Sequence, residues 1–116
     1  MAIRRIEPRE WSAFCMHVSR SLIGKHVEIE VASLELGAQL EARRVPLLGM
    51  TYDPSDDVLE LLIGGLDHLI RAPREFYVDE PALGIMWLQI VDANGVRQIV
   101  TLRDPLMLPR PNEFPQ

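Results

Sequence analysis

Ile85-Met86-Trp87-Leu88-Gln89-Ile90-Val91, then Asp92-Ala93-Asn94-Gly95, then Val96-Arg97-Gln98-Ile99-Val100-Thr101-Leu102 is the stretch that decides the fold. Two alternating, β-branched runs flank a short polar connection, in which Gly95 supplies the left-handed residue of a type I turn with a bulge. If Asp92 faces Val96, then Met86, Leu88, Ile90, Val100 and Leu102 share one face, and that face is expected to enter a core. The opposite face carries Trp87, Gln89, Val91, Arg97, Ile99 and Thr101. It is more apolar than a solvated sheet surface, so a second layer or a partner is expected to cover it.

Upstream the same period recurs. His26-Val27-Glu28-Ile29-Glu30-Val31 alternates without error, placing Val27, Ile29 and Val31 on one face and both glutamates on the other. A turn follows around Glu35-Leu36-Gly37. The stretch from Ala38 to Tyr52 is β-rich but loses alternation at Arg43-Arg44-Val45-Pro46, and Pro46 cannot donate to a central ladder, so a bulge or an edge is expected there. Asp53-Pro54-Ser55-Asp56 is turn chemistry joining two antiparallel strands. The second, Val58 to Ile63, ends at Gly64-Gly65, where the chain can bend. Leu66 to Pro73 is ambiguous, and Glu75 to Asp79 reads as a short strand with Phe76 and Val78 on one side.

Before the strands, Trp11, Phe14, Val18 and Leu22 recur at spacings of three and four, which predicts a helix from Pro8 to Leu22. Pro8 suits its first turn and Gly24 the residue just past its end. Cys15, beside Phe14, reads as a small core residue. After the strands, Asp104 to Gln116 contains Pro105, Pro109, Pro111 and Pro115 and is expected to run extended.

The composition bounds the function. A chain of 116 residues, 47% apolar and 25% charged, fits one core. No apolar run approaches the ~20 residues of a membrane-spanning helix, and no signal core follows the two N-terminal arginines, so a cytoplasmic protein is expected. One cysteine excludes an internal disulfide and a cysteine-rich zinc site. The net charge of −5 opposes general attraction to nucleic acid or anionic lipid. Eleven of the twelve basic residues are arginine, which without clustering does not define an anion site.

The residue patterns of common chemistries are missing. There is no nucleophile elbow, no phosphate-cradling glycine loop and no dinucleotide fingerprint. His17, His26 and His68 lack the spacing of a helical zinc pair. Asp53, Ser55 and Asp57 copy the first alternate ligands of a calcium loop, but Val58 stands where that loop needs glycine. No catalytic residue, metal or cofactor is expected. The least generic stretch is Gly64-Gly65-Leu66-Asp67-His68-Leu69-Ile70-Arg71-Ala72-Pro73-Arg74-Glu75. Asp67 beside His68 can tune a general base, and Arg71 with Arg74 can clamp a carboxylate or phosphate. The plainer reading pairs Asp67 with Arg71 across one turn and bonds His68 to the backbone of a tight connection.

Gly24-Lys25-His26-Val27-Glu28-Ile29-Glu30-Val31, Pro46-Leu47-Leu48-Gly49-Met50-Thr51-Tyr52-Asp53-Pro54, Gly65-Leu66-Asp67-His68-Leu69-Ile70-Arg71 with Pro73-Arg74, and the hairpin from Asp92 to Arg103 together resemble a bacterial family of short proteins of unknown function. The resemblance runs to Arg103. It implies an uncharacterised cytoplasmic protein and supplies no catalytic residues. A weaker similarity is to Sm-like RNA-binding domains, which place a helix before a bent five-stranded barrel. Their Asp-x-x-x-Asn and Arg-Gly base-binding loops are missing here.

The expected fold is α+β, with residues 1–103 forming one N-terminal helix packed on a strongly bent antiparallel sheet or small open barrel of five to six strands. Residues 104–116 form a Pro-rich tail. The leading functional expectation is a non-catalytic interaction or accessory module that self-associates as a homo-oligomer through Trp87, Val91, Ile99, Leu106 and Leu108. The alternatives are a small anionic-ligand binder or modest enzyme centred on Asp67, His68, Arg71 and Arg74, and Sm-like single-stranded nucleic-acid binding.

Overall fold

The computed structural model describes residues 3–33, 37–64, 66–81 and 84–103, excepting the side chains of 41–43, 66 and 103. A single 3-10 turn, Pro8–Glu10, leads into helix α1, Trp11–Leu22. The strands are β1 (Ile3–Arg5), β2 (His26–Ser33), β3 (Gly37–Asp53), β4 (Val58–Ile63), β5 (Leu66–Arg71), β6 (Pro73–Asp79), β7 (Trp87–Asp92) and β8 (Arg97–Arg103). They form one antiparallel sheet in the order β1-β6-β7-β8-β2-β3-β4-β5. The α+β class stands, but the sheet has eight strands among the described residues, not five to six.

Two features raise the count. β1 is too short to display a period and adds to β6 as an edge. The ambiguous stretch from Leu66 to Pro73 forms a strand of its own, β5, separated from β6, which holds the expected strand Glu75 to Asp79, only by Ala72, whose φ of 52° turns the chain. The Ala72 amide donates to the Asp57 carbonyl at 2.8 Å, and its carbonyl accepts from Ala93 at 2.9 Å. The corner is thereby tied to both neighbouring hairpin turns.

β3 bends the sheet from its other side. Its first part pairs with β2 up to the rung His26↔Pro46, and its last part pairs with β4 from Leu47↔Ile63 onward. Between Val27↔Val45 and Ile29↔Ala42 two steps on β2 meet three on β3, and Arg44 takes a left-handed φ of 51°. This is the irregularity that the broken alternation and Pro46 foretell. Asp53 then closes the β3–β4 turn by accepting from the Ser55 amide at 2.9 Å and its hydroxyl at 2.6 Å.

The β7–β8 hairpin has the expected register, with Leu88↔Val100 and Val91↔Arg97. The Asp92 carboxylate accepts from the Asn94 and Val96 amides, and Gly95 is left-handed at φ 79°. Leu88, Ile90, Val100 and Leu102 are buried as expected. Met86 is not: it precedes the strand and is 48% exposed. Gln98, opposite Ile90, takes a place on the buried face.

Helix α1 lies on the inner face, burying Trp11, Phe14, Cys15, Val18 and Leu22. Phe14 meets Phe76 edge-on at 5.4 Å, and Trp11 meets Tyr52 edge-on at 5.1 Å. The Ser19 hydroxyl both donates to the Met50 carbonyl and accepts from the Met50 amide, at 2.8 Å each, fixing the helix to β3. Burial pushes the Cys15 thiol up to about 12, so it packs as a small apolar group with little thiolate character. With the helix and core on the inner face, the outer face of β6, β7 and β8 is left toward solvent.

Candidate functional site

The residues of the Asp67–Arg74 stretch are distributed by strand alternation. Asp67 and Arg71 are exposed on the outer face of edge strand β5, separated by four residues of extended chain, about 13 Å. They do not share a turn. His68 points the other way, into the curled sheet, where its Nε2 is hydrogen-bonded to the Gln98 side chain on β8 and not to a backbone group. Arg74, on β6, donates to the Asp57 carboxylate at 3.0 Å and to the Pro73 carbonyl at 2.8 Å. His68 is thus turned to the opposite face of β5 from Asp67 and Arg71, and Arg74 is engaged with Asp57.

Asp57 gathers partners instead. Its carboxylate accepts from the Tyr52 hydroxyl at 2.7 Å as well as from Arg74, and these two bonds hold it below the usual carboxylate range. Desolvation, followed by the bond to Asp57, pushes the Tyr52 phenol up to about 12. Asp57 also has a left-handed φ of 54°. Sequence gives no direct signal for this group, since Tyr52, Asp57 and Arg74 are drawn from three separate segments. Their contacts tie the β3–β4 turn to β6, a structural task. Among the described residues no group of three or more His, Cys, Asp or Glu side chains is placed to hold a metal ion.

The outer face has a different character. Across β1, β6, β7, β8 and β2, the register makes a row Arg5↔Tyr77↔Gln89↔Ile99↔Glu30, flanked by Ile3↔Asp79↔Trp87↔Thr101↔Glu28. Trp87, Val91 and Ile99 thus stand on one face, each half-buried. A shallow groove of about 410 Å³ runs over this face, lined by Ile3, Tyr77, Trp87, Gln89 and Val91 with Glu75 and Arg97 at its polar margin. The Tyr77 hydroxyl donates to the Glu75 carboxylate; that bond, desolvation and the carboxylate charge raise the phenol, while Arg5 and Arg97 pull it down. Leu106 and Leu108 lie outside the described residues.

The groove is legible in part. The alternation assigns Trp87, Val91 and Ile99 to the outer face, whereas Ile3 and Tyr77 join them only through the β1–β6–β7 pairing, which no local pattern encodes.

An uncharacterized protein of Aquifex aeolicus (strain VF5) is 37% identical over 110 residues, covering 94% of this chain and 99% of the relative. No solved structure matches. The match to the family described as "Family of unknown function (DUF5335)" spans residues 2–111, running past β8 into the Pro-rich segment. With nearly the whole chain covered by that match and by the bacterial relative, the protein belongs to the DUF5335 family.

Proposed function

We propose that this protein is a non-catalytic interaction module that self-associates through the outer face of β1, β6, β7 and β8. The observation that carries the reading is the groove lined by Ile3, Tyr77, Trp87 and Val91, on the side of the sheet opposite helix α1 and the core. Half-buried Trp87, Val91 and Ile99 offer apolar area that gains by being removed from water, at about 25 cal/mol per Å².

A second copy fits this face by charge. An isologous contact places each residue against its counterpart's mirror position about a two-fold axis. The row Arg5↔Tyr77↔Gln89↔Ile99↔Glu30 has a cation at one end and an acid at the other, with apolar and polar groups between. An axis through Gln89 sets Arg5 of one copy toward Glu30 of the other. The same acidic chain, at net charge −5, is poorly suited to nucleic acid. No helix among the described residues is long and apolar enough to cross a membrane. A cytoplasmic setting is part of this proposal, as is the division into a folded unit 1–103 and a tail 104–116.

Light scattering on the full chain tests the reading. A dimer at tens of micromolar is expected. Arg5→Glu should weaken it roughly two- to fivefold, by like-charge repulsion on top of an exposed pair worth ~0.2–1 kcal/mol. Arg5→Glu combined with Glu30→Arg should restore it. A monomeric wild type, or a double variant weaker than either single, overturns the proposal.

A further inference from the structure

We infer that strand β5 pairs edge to edge with β5 of a second copy of this chain, antiparallel about a two-fold axis at Leu69. This contact is separate from the outer-face contact proposed above and uses none of its residues.

The hydrogen-bonded order of the sheet ends at β5, and among the described residues no strand pairs with the side of β5 away from β4. The backbone there is set for a partner. The Ala72 amide donates to the Asp57 carbonyl, on the β4 side, so the trans peptide turns the Arg71 carbonyl the other way. β5 pairs with β4 without a register shift, and alternation therefore sends the amides and carbonyls of Asp67, Leu69 and Arg71 to the free edge and those of His68 and Ile70 to β4. Such an edge is a template for another strand unless proline, lysine or a bulge blunts it, and β5 has none of the three.

The side chains make this template self-complementary. A two-fold axis at Leu69 sets Leu69 against its own counterpart, Asp67 against Arg71 of the second copy, and Arg71 against Asp67 of the second copy. All three pairs are of the hydrogen-bonded kind and exchange about six backbone bonds. Within their own chain Asp67 faces Leu62 and Arg71 faces Val58, and neither makes an ion pair among the described residues. The second copy supplies the opposite charge that each lacks. Leu69, 41% exposed, meets its counterpart between the two ion pairs, with exposed Leu62 diagonally behind it on β4.

Charge also selects the register. An axis at His68 or Ile70 sets Asp67 or Arg71 against Leu69 instead of against its opposite. The other end of the sheet lacks the property, since β1 is three residues long and the same pairing about its middle residue sets Arg4 against Arg4.

A single strand pair buries well below the ~1,600 Å² of a standard interface, which places this contact on the order of hundreds of micromolar, above the outer-face dimer. Amide hydrogen exchange on the full chain, followed residue by residue by NMR up to that range, reads the edge directly. At a total concentration about ten times the dissociation constant, about one chain in five is unpaired, so the Leu69 amide should exchange about fivefold more slowly than in dilute protein. Asp67→Arg and Arg71→Asp each create two like-charge pairs across the axis, and either alone should raise the dissociation constant roughly tenfold or more. An equal mixture of the two variants restores opposite charges at both positions and should recover the protection. Both variants remain net negative, so bulk attraction does not account for that recovery. Arg5→Glu, which acts on the outer face, should leave the edge protection in place.

Slow Leu69 exchange at every concentration places cover from the same chain over β5 and overturns the second copy. Protection that survives in each single variant overturns the two-fold register, and protection lost with Arg5→Glu overturns the contact's independence. A dimer by light scattering whose Leu69 amide stays unprotected overturns the edge pairing and leaves the outer-face reading intact. Edge protection in a chain whose assembly ignores Arg5→Glu upholds the edge pairing while the outer-face reading fails.

Discussion

His68 on edge strand β5 is hydrogen-bonded to Gln98 on β8, although three strands lie between them in the hydrogen-bonded order of the sheet. The contact is possible because the irregularity at Arg44–Pro46 in β3 curls edge strand β5 back toward the interior strand β8. Gln98 is the one buried polar side chain among the described residues, 8% exposed within an otherwise apolar face. Its bond to His68 offsets the cost of keeping an amide there and holds the free edge inward.

Removing one partner should therefore be worse than removing both. Gln98→Leu leaves a part-buried imidazole without its acceptor and should cost roughly 1–3 kcal/mol. His68→Leu combined with Gln98→Leu should recover much of that, since neither polar group is then stranded. Urea unfolding of the two variants decides it. A double variant no more stable than Gln98→Leu would show that the pair does not couple edge strand β5 to β8.

The Ala72 corner makes a second, separate demand on the backbone. At φ 52° a branched side chain crowds the backbone, whereas glycine is free of that penalty. Ala72→Val should cost on the order of 2 kcal/mol, and Ala72→Gly should be close to neutral, relief of strain offsetting the extra freedom of the unfolded chain. Thermal melts on the pair check the ordering. Equal loss in both variants would place the requirement in the methyl group's packing and not in the backbone.

The same corner explains where sequence reading stops. Alternation in Val27–Val31 and Leu88–Leu102, the helical spacing of Trp11 to Leu22, and the Asp53 and Gly95 turns are local signals, and each marks its element. Glycines and a proline flag bends at Gly64 and Pro46, but alanine gives no warning of a left-handed turn, so β5 stayed ambiguous although most of β6, from Glu75, is legible. β1 contributes three residues and no period. Asp67, His68, Arg71 and Arg74 looked like a cluster because they are close in sequence. In a strand, neighbours point to opposite faces, and the true partners, Gln98 for His68 and Asp57 for Arg74, lie thirty and seventeen residues away.

Tyr52, Asp57 and Arg74 should make stability sensitive to pH at both extremes. The Asp57 carboxyl is held low in the fold by its bonds to Tyr52 and Arg74, so its contribution is complete above the unfolded value of about 3.9 and is lost as pH falls through the lower folded value. Tyr52 behaves in the opposite sense. Its phenol is raised to about 12, so the protonated form is the one the fold favours, and that contribution is complete below the unfolded value of about 10 and fades as pH climbs toward about 12. Tyr52→Phe should flatten the alkaline fall in melting temperature. Asp57→Asn should flatten the acid fall and, by removing the carboxylate beside the phenol, bring the Tyr52 titration back toward 10. Melting curves across the pH range, with ultraviolet absorbance following the phenolate, test both arms. A Tyr52 titration unmoved by Asp57→Asn would assign its displacement to desolvation alone.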